Sequence, residues 1–99
     1  MKRAKTRQPA RVCAICGRNG TGDPLERHHI FGGAYRAKSE RYGLTVYLCG
    51  NRCHREGAKS AHRCRETREK LRRYGQRKVM REQGWDVARF IREFGRNYL

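Results

Sequence analysis

The sequence predicts a small α+β domain in which a short antiparallel hairpin is followed by helices, and three observations lead there. Two short runs rich in β-branched, aromatic and other apolar residues, Leu25 to Phe31 and Thr45 to Leu48, are separated by a polar stretch. Beyond Ser60 the apolar residues switch to helical spacing. Two cysteine pairs, Cys13/Cys16 and Cys49/Cys53, bracket the strand region. With 99 residues, 36% of them hydrophobic, and a mean hydropathy of −1.06, the chain can build one thin core and needs a further fastening.

The elements follow in order. Residues 1–9, ending at Pro9, are expected to form a flexible basic arm able to touch phosphates. Residues 10–99 are expected to form a single domain, with its core over about 13–74 and a helical extension over 75–99; there is no internal repeat or low-complexity linker. C-A-I-C is the first knuckle, with Gly17 for its turn. RNGTGD, Arg18 to Asp23, is turn chemistry; Pro24 then opens the first strand, which Gly32 and Gly33 end. AYRAKSERYG is a loop to the second strand, which runs into the knuckle C-G-N-R-C, where Gly50 supplies the turn. Ser60 is placed to cap a helix over AHRCRETREKLRRY, stopped at Gly75. A short helix over QRKVMREQ ends at Gly84. Trp85, Asp86 and Phe90 match a hydrophobic staple around an Asp cap, opening VARFIREF, which closes at Gly95. Leu71, Tyr74, Val79, Met80, Trp85, Phe90, Ile91, Phe94 and Tyr98 are the expected packing residues, in preference to a base-stacking platform, and Cys64 is read as a small helical hydrophobe.

Charge narrows the function. The formal net charge is +16 and basic residues run from Lys2 to Arg96, so the folded surface itself is cationic. Phosphate neutralisation and counterion release reward such a surface, which makes nucleic acid the expected partner; a basic surface serving solubility alone is the competing reading. No apolar run approaches the roughly 20 residues of a membrane span, and the first residues lack the apolar core of a signal peptide. A cytoplasmic location is the expectation, where thiols stay reduced.

Five cysteines then need an account without disulfides. Two knuckles offering Cys13, Cys16, Cys49 and Cys53 match a structural zinc site, and much of the binding energy of such an ion appears as folding energy. An iron–sulfur cluster accepts the same four thiolates, and His54 is an alternative to Cys53 as the fourth ligand.

The four histidines carry the functional argument. His28 and His29 are adjacent in LERHHIFGG, His54 follows Cys53, and His62 lies eight positions further on. Neighbours on a strand point to opposite faces, so His28 and His29 are expected to take different roles: one holds a metal while the other, aimed by a bend near Gly32, accepts a proton. On one continuous helix His54 and His62 are about 80° and about 12 Å apart, so sharing a metal requires REGAKSA to be a loop, as Gly57 and Ser60 suggest.

Together, C-A-I-C, LERHHI and VYLCGNRCH resemble the HNH endonucleases of the ββα-metal class in their zinc-stapled form, over roughly residues 13–62. CHREG, SAH and a later YG are more weakly similar to small phage HNH proteins associated with recombination or packaging. By position, the resemblance implies His28 as a metal ligand, His29 as general base and His54 as the last ligand, with His62 as an additional one. It also implies DNA hydrolysis to 5′-phosphate and 3′-hydroxyl ends, with RNA left open, and a phage or prophage origin with packaging or recombination proteins as partners. The family's middle Asn has no counterpart in YGLTVYLC, so Thr45, a backbone carbonyl or Asn51 is expected to orient the base. A histidine in ordinary surroundings can be neutral at cellular pH and take a proton from water, while a divalent ion stabilises charge at the phosphate. With imidazole ligands and no carboxylate nearby, Mn²⁺, Ni²⁺ or Zn²⁺ is expected to bind more tightly than Mg²⁺. Arg18, Arg27, Arg36, Lys38, Arg52 and Arg55 are the phosphate-contact candidates nearest the site. A zinc-bearing nucleic-acid-binding module and an accessory protein of a larger complex are the alternatives to an endonuclease.

Overall fold

A computed structural model describes residues 11–99; the arm expected over residues 1–9 lies outside the described residues. The fold is α+β. Strand β1 (Leu25–His29) pairs antiparallel with β2 (Thr45–Cys49) in a two-stranded sheet, and helices α1 (Arg36–Arg41), α2 (Arg65–Gln83) and α3 (Val87–Phe94) complete it. A 3₁₀ turn (Gly33–Tyr35) precedes α1, and a π-helical turn (Gly50–Arg55) follows β2. The register sets His28 opposite Val46 and His29 opposite Thr45. Among the described residues no helix is long and apolar enough to cross a membrane.

Two small cores replace one large one. Cys13, Leu48, Cys49, Cys53, Ala61 and Leu71 form the first. Ile30, Phe31, Leu44, Val79, Phe90 and Phe94 form the second, and Val46 packs against both. They meet along β2: Leu48 belongs to the first, Leu44, just ahead of the strand, to the second, and Val46 between them touches both.

Several expected boundaries move. β1 stops at His29; Ile30, expected to continue it, keeps one bond from its amide to the Leu44 carbonyl, and it and Phe31 are buried in the second core. The excursion expected as a loop contains α1. Buried Ser39 explains its placement: its hydroxyl accepts from the Phe31 amide at 3.0 Å and donates to the Phe31 carbonyl at 2.8 Å, clamping α1 to the end of β1.

α2 runs unbroken through Gly75, where a stop was expected. A Cβ at Gly75 would meet side-chain atoms of both Ile30 and Phe31 at 3.0 Å, so this glycine permits close packing of helix against chain and terminates nothing. Ser60 caps a turn and not α2: its hydroxyl accepts from the Arg63 amide, and the helix begins at Arg65. Cys64 stands at the helix entry, outside the helix in which it was expected. Asp86 caps α3 as expected, accepting from the Arg89 amide at 2.8 Å. Of the expected packing residues, Tyr74 and Ile91 are exposed, Tyr74 because it lines an open groove between α2 and the first knuckle and Ile91 because only the Phe90/Phe94 face of α3 meets the core.

Candidate metal centres and active site

The sulfur cluster is assembled first. Cys13, Cys16, Cys49 and Cys53 place their Sγ atoms within 4.8 Å of one another, with Cys16 and Cys49 at 3.5 Å. Tetrahedral Zn–S bonds of about 2.3 Å require S···S separations of about 3.8 Å, so the four can hold a metal ion such as zinc. Cys13, Cys49 and Cys53 are buried and Cys16 is exposed. The Ile15 and Cys16 amides point at Cys13 Sγ from 3.3 and 3.4 Å. Burial pushes the Cys13 thiol up, but these amides and that of Cys49 outweigh it and bring it down to about 6. Burial, with the neighbouring thiols, raises Cys49 to about 11 and raises Cys53 as well. Sulfurs this crowded favour a shared cation over four separate thiols. An Ala14 amide bond to the Tyr47 carbonyl, 2.8 Å, fastens the first knuckle to β2.

The histidines converge separately. His28, His54 and His62 also place ligand nitrogens within 4.8 Å of one another, and the ring centroids of His28 and His54 are 5.1 Å apart. His54 is carried by the π-helical turn, and His62 reaches it because 57–61 is indeed a loop: the His62 amide donates to the His54 carbonyl and the Ala61 amide to the Cys53 carbonyl. Gly57 allows this, since a Cβ there would meet the Arg52 carbonyl oxygen at 2.0 Å. The two Nε2 atoms of His54 and His62 lie 3.2 Å apart, close to the about 3.3 Å expected for two imidazoles on one tetrahedral ion. Glu26 accepts from His54 Nδ1 at 2.8 Å, which leaves the His54 Nε2 lone pair facing the cluster. Burial, reinforced by the neighbouring histidines, lowers His28 to about 4, and burial also lowers His62, so both offer neutral nitrogens.

His29 goes elsewhere, as strand alternation requires. Glu26 and His28 share one face of β1, toward His54; Arg27 and His29 share the other, toward α1. There His29 Nε2 is 2.8 Å from Glu40 Oε1, and Arg27 holds Glu40 Oε2 at 2.5 Å. The Arg27 and His29 bonds keep the Glu40 carboxylate well below its ordinary range. The side-chain partner of His29 is thus Glu40, not Thr45 or Asn51. Asn51 is occupied instead with Arg55 and with the turn amides of Glu56 and Gly57.

Two expectations need correction. Carboxylates do stand beside the site, Glu26 at His54 and Glu40 at His29. Of the six residues expected to contact phosphate, three are engaged with carboxylates instead: Arg27 with Glu40, Arg55 with Glu26, and Lys38 with Glu93. Arg18, Arg36 and Arg52 are exposed and without an ion pair among the described residues, the Arg52 amide being held by Asp23. Glu26 carried a signal, lying two residues before His28 on the same strand face. Glu40 carried none, because its helix was read as a loop.

A cleft of about 190 Å³ opens beside the cluster, lined by His28, His29 and His62 and, from α2, by Arg68 and Arg72. No family model, curated protein or solved structure matches the chain.

Proposed function

We propose that the protein is a metal-dependent endonuclease with an HNH-type ββα-metal site, hydrolysing phosphodiester bonds in DNA. The observation that carries this reading is one cleft lined both by members of a three-histidine cluster and by a further histidine, His29, whose own partner is a carboxylate. In it the four cysteines hold a structural zinc ion, and His28, His54 and His62 hold a divalent cation. When bound, that cation supplies Lewis-acid stabilisation of charge on the phosphate and on the departing 3′ oxygen.

The chain's own groups do the rest. Glu40 accepts the Nε2 proton of His29 and fixes the tautomer, leaving Nδ1 to take a proton from water. As the water oxygen bonds to phosphorus, the proton passes to Nδ1 and the resulting imidazolium is stabilised by the adjacent carboxylate. The P–O3′ bond breaks and the leaving 3′ oxygen takes a proton from solvent water, giving a 5′-phosphate and a 3′-hydroxyl, while His29 later returns its proton to solvent. Arg27, on the other oxygen of Glu40, keeps that carboxylate ionised and in place. The +16 net charge draws the polyanion to the surface.

The test is supercoiled-plasmid nicking by protein loaded with zinc and then with Mg²⁺, Mn²⁺ or Ni²⁺. Nicking is expected with at least one ion, and His29→Ala is expected to slow it about 10²- to 10⁴-fold with zinc content and melting temperature unchanged. Equal nicking by His29→Ala removes the general-base assignment. Salt-sensitive binding without cleavage under every ion leaves a binding module in place of an enzyme.

A further inference from the structure

The same cleft has a second wall that the proposed chemistry has not used. Arg68 and Arg72 are four residues apart, one turn on the same face of α2, and they are the only side chains of fixed charge among those lining the cleft. Both are half-buried, unlike the exposed arginines that dominate the surface. No carboxylate lines the cleft with them.

Each guanidinium is held in position without being used up. Arg68 Nη1 donates to the carbonyls of Ala61 and His62, both at 3.1 Å, so the arginine is tied to the very loop that carries His62. Its remaining N–H groups have no partner among the described residues. Arg72 is braced on one side by Glu69, at 3.4 Å, and on another by the Tyr98 ring, with its guanidinium carbon 5.6 Å from the ring centroid. A guanidinium presents five donors in a rigid fork, and these contacts occupy only part of each fork. Two pre-oriented forks facing a cleft without acidic residues recognise a tetrahedral oxyanion.

We propose that Arg68 and Arg72 form the phosphate-binding wall of the histidine cleft, gripping the non-bridging oxygens of the phosphodiester to be cut. The ligand class is a nucleic-acid phosphodiester, and the proposal rests on the endonuclease reading for what happens to that phosphate, though not for its binding. The exposed Arg18, Arg36 and Arg52 would then serve general attraction, and the α2 pair would set register. Because such contacts fix position without reading bases, the grip is independent of sequence.

Affinity for a fluorescent duplex, measured on the His29→Ala chain so that the DNA stays intact, tests the binding; plasmid nicking by the parent chain tests its consequence. Arg72→Gln is the informative variant, since Arg68→Gln also loosens the loop bearing His62. Arg81→Gln, on an exposed site at the far end of α2, is the control. Arg72→Gln is expected to weaken duplex binding about tenfold and to flatten its salt dependence by about one ion, with Arg81→Gln within about twofold of the parent. Where the parent nicks DNA, kcat/KM should fall by at least the same factor. If Arg72→Gln binds as Arg81→Gln does, or the parent does not bind DNA, the proposal is overturned. If the parent never nicks yet Arg72→Gln still loses binding, the phosphate wall stands and the hydrolytic reading is what fails.

Discussion

The sulfur cluster and the histidine cluster share one short turn and differ in almost everything else. Cys53 and His54 are consecutive residues of the π-helical turn, yet Cys53 points into a buried core with Cys13 and Cys49, and His54 turns toward His28, exposed His62 and an open cleft. Two parallel backbone bonds, Ala61 to Cys53 and His62 to His54, brace this turn from the same loop. Four sulfurs, three of them buried, make a closed site, suited to holding a fold together. Three nitrogens beside a cleft make an open one, suited to admitting a substrate. Because Cys53 and His54 sit on one turn, losing the sulfur-bound ion should disturb the histidine cluster, whereas losing a histidine should leave the buried sulfur set in place.

The largest effect should expose that asymmetry. Cys53→Ser removes a donor from the closed set, and apparent binding energies for structural zinc of about 10–16 kcal/mol exceed what a thin core supplies. Loss of zinc and of cooperative unfolding is expected, read by metal analysis and circular dichroism, and the histidine site should vanish with it. His54→Ala should lose the second cation alone, keeping one zinc per chain and a sigmoidal melt. A Cys53→Ser chain that melts cooperatively without zinc breaks the comparison.

A smaller effect tests the end of β1. Gly75→Ala places a methyl 3.0 Å from both Ile30 and Phe31, the two residues that follow the adjacent histidines. Destabilisation of about 1–3 kcal/mol is expected from such overpacking. Because the second core is struck and the first is not, the melting temperature should fall while zinc content stays at one per chain. An unchanged melt returns Gly75 to the role of an ordinary helix glycine, for which alanine is stabilising.

What the sequence disclosed follows the same division. Both donor sets were legible, because metal ligation demands particular residue types and Cys-x₂-Cys, Cys-x₃-Cys and His-His patterns are rare by chance. The hairpin and the Asp86 cap were legible from local chemistry. Glu40, Ser39 and the uninterrupted α2 were not. Each depends on a contact distant in the chain, Glu40 with His29, Ser39 with Phe31, and Gly75 with Ile30 and Phe31, and local propensity carries no trace of it. Gly75 shows the cost most plainly, since a glycine read as a stop was a glycine placed for contact.

The smallest effect concerns Glu26, which links the two sites' shared turn to β1. One of its oxygens accepts from His54 Nδ1 at 2.8 Å and the other from Arg55. Gly50 makes room, a Cβ there lying 3.1 Å from the carboxylate. Glu26→Gln keeps the shape and forces a choice. With its oxygen toward His54, the new amide N–H₂ faces the Arg55 guanidinium, donor against donor. With its oxygen toward Arg55, the N–H₂ meets His54 Nδ1 and drives the proton to Nε2, the nitrogen the cluster needs free. Either orientation should weaken the histidine-bound cation about tenfold, at the low end for loss of such an orienting partner, while zinc at the sulfur site and the melting temperature barely change. Mn²⁺ or Ni²⁺ titration of zinc-loaded protein measures this directly. Equal affinity in Glu26→Gln means that backbone bonds from the 57–61 loop, and not the carboxylate, aim His54.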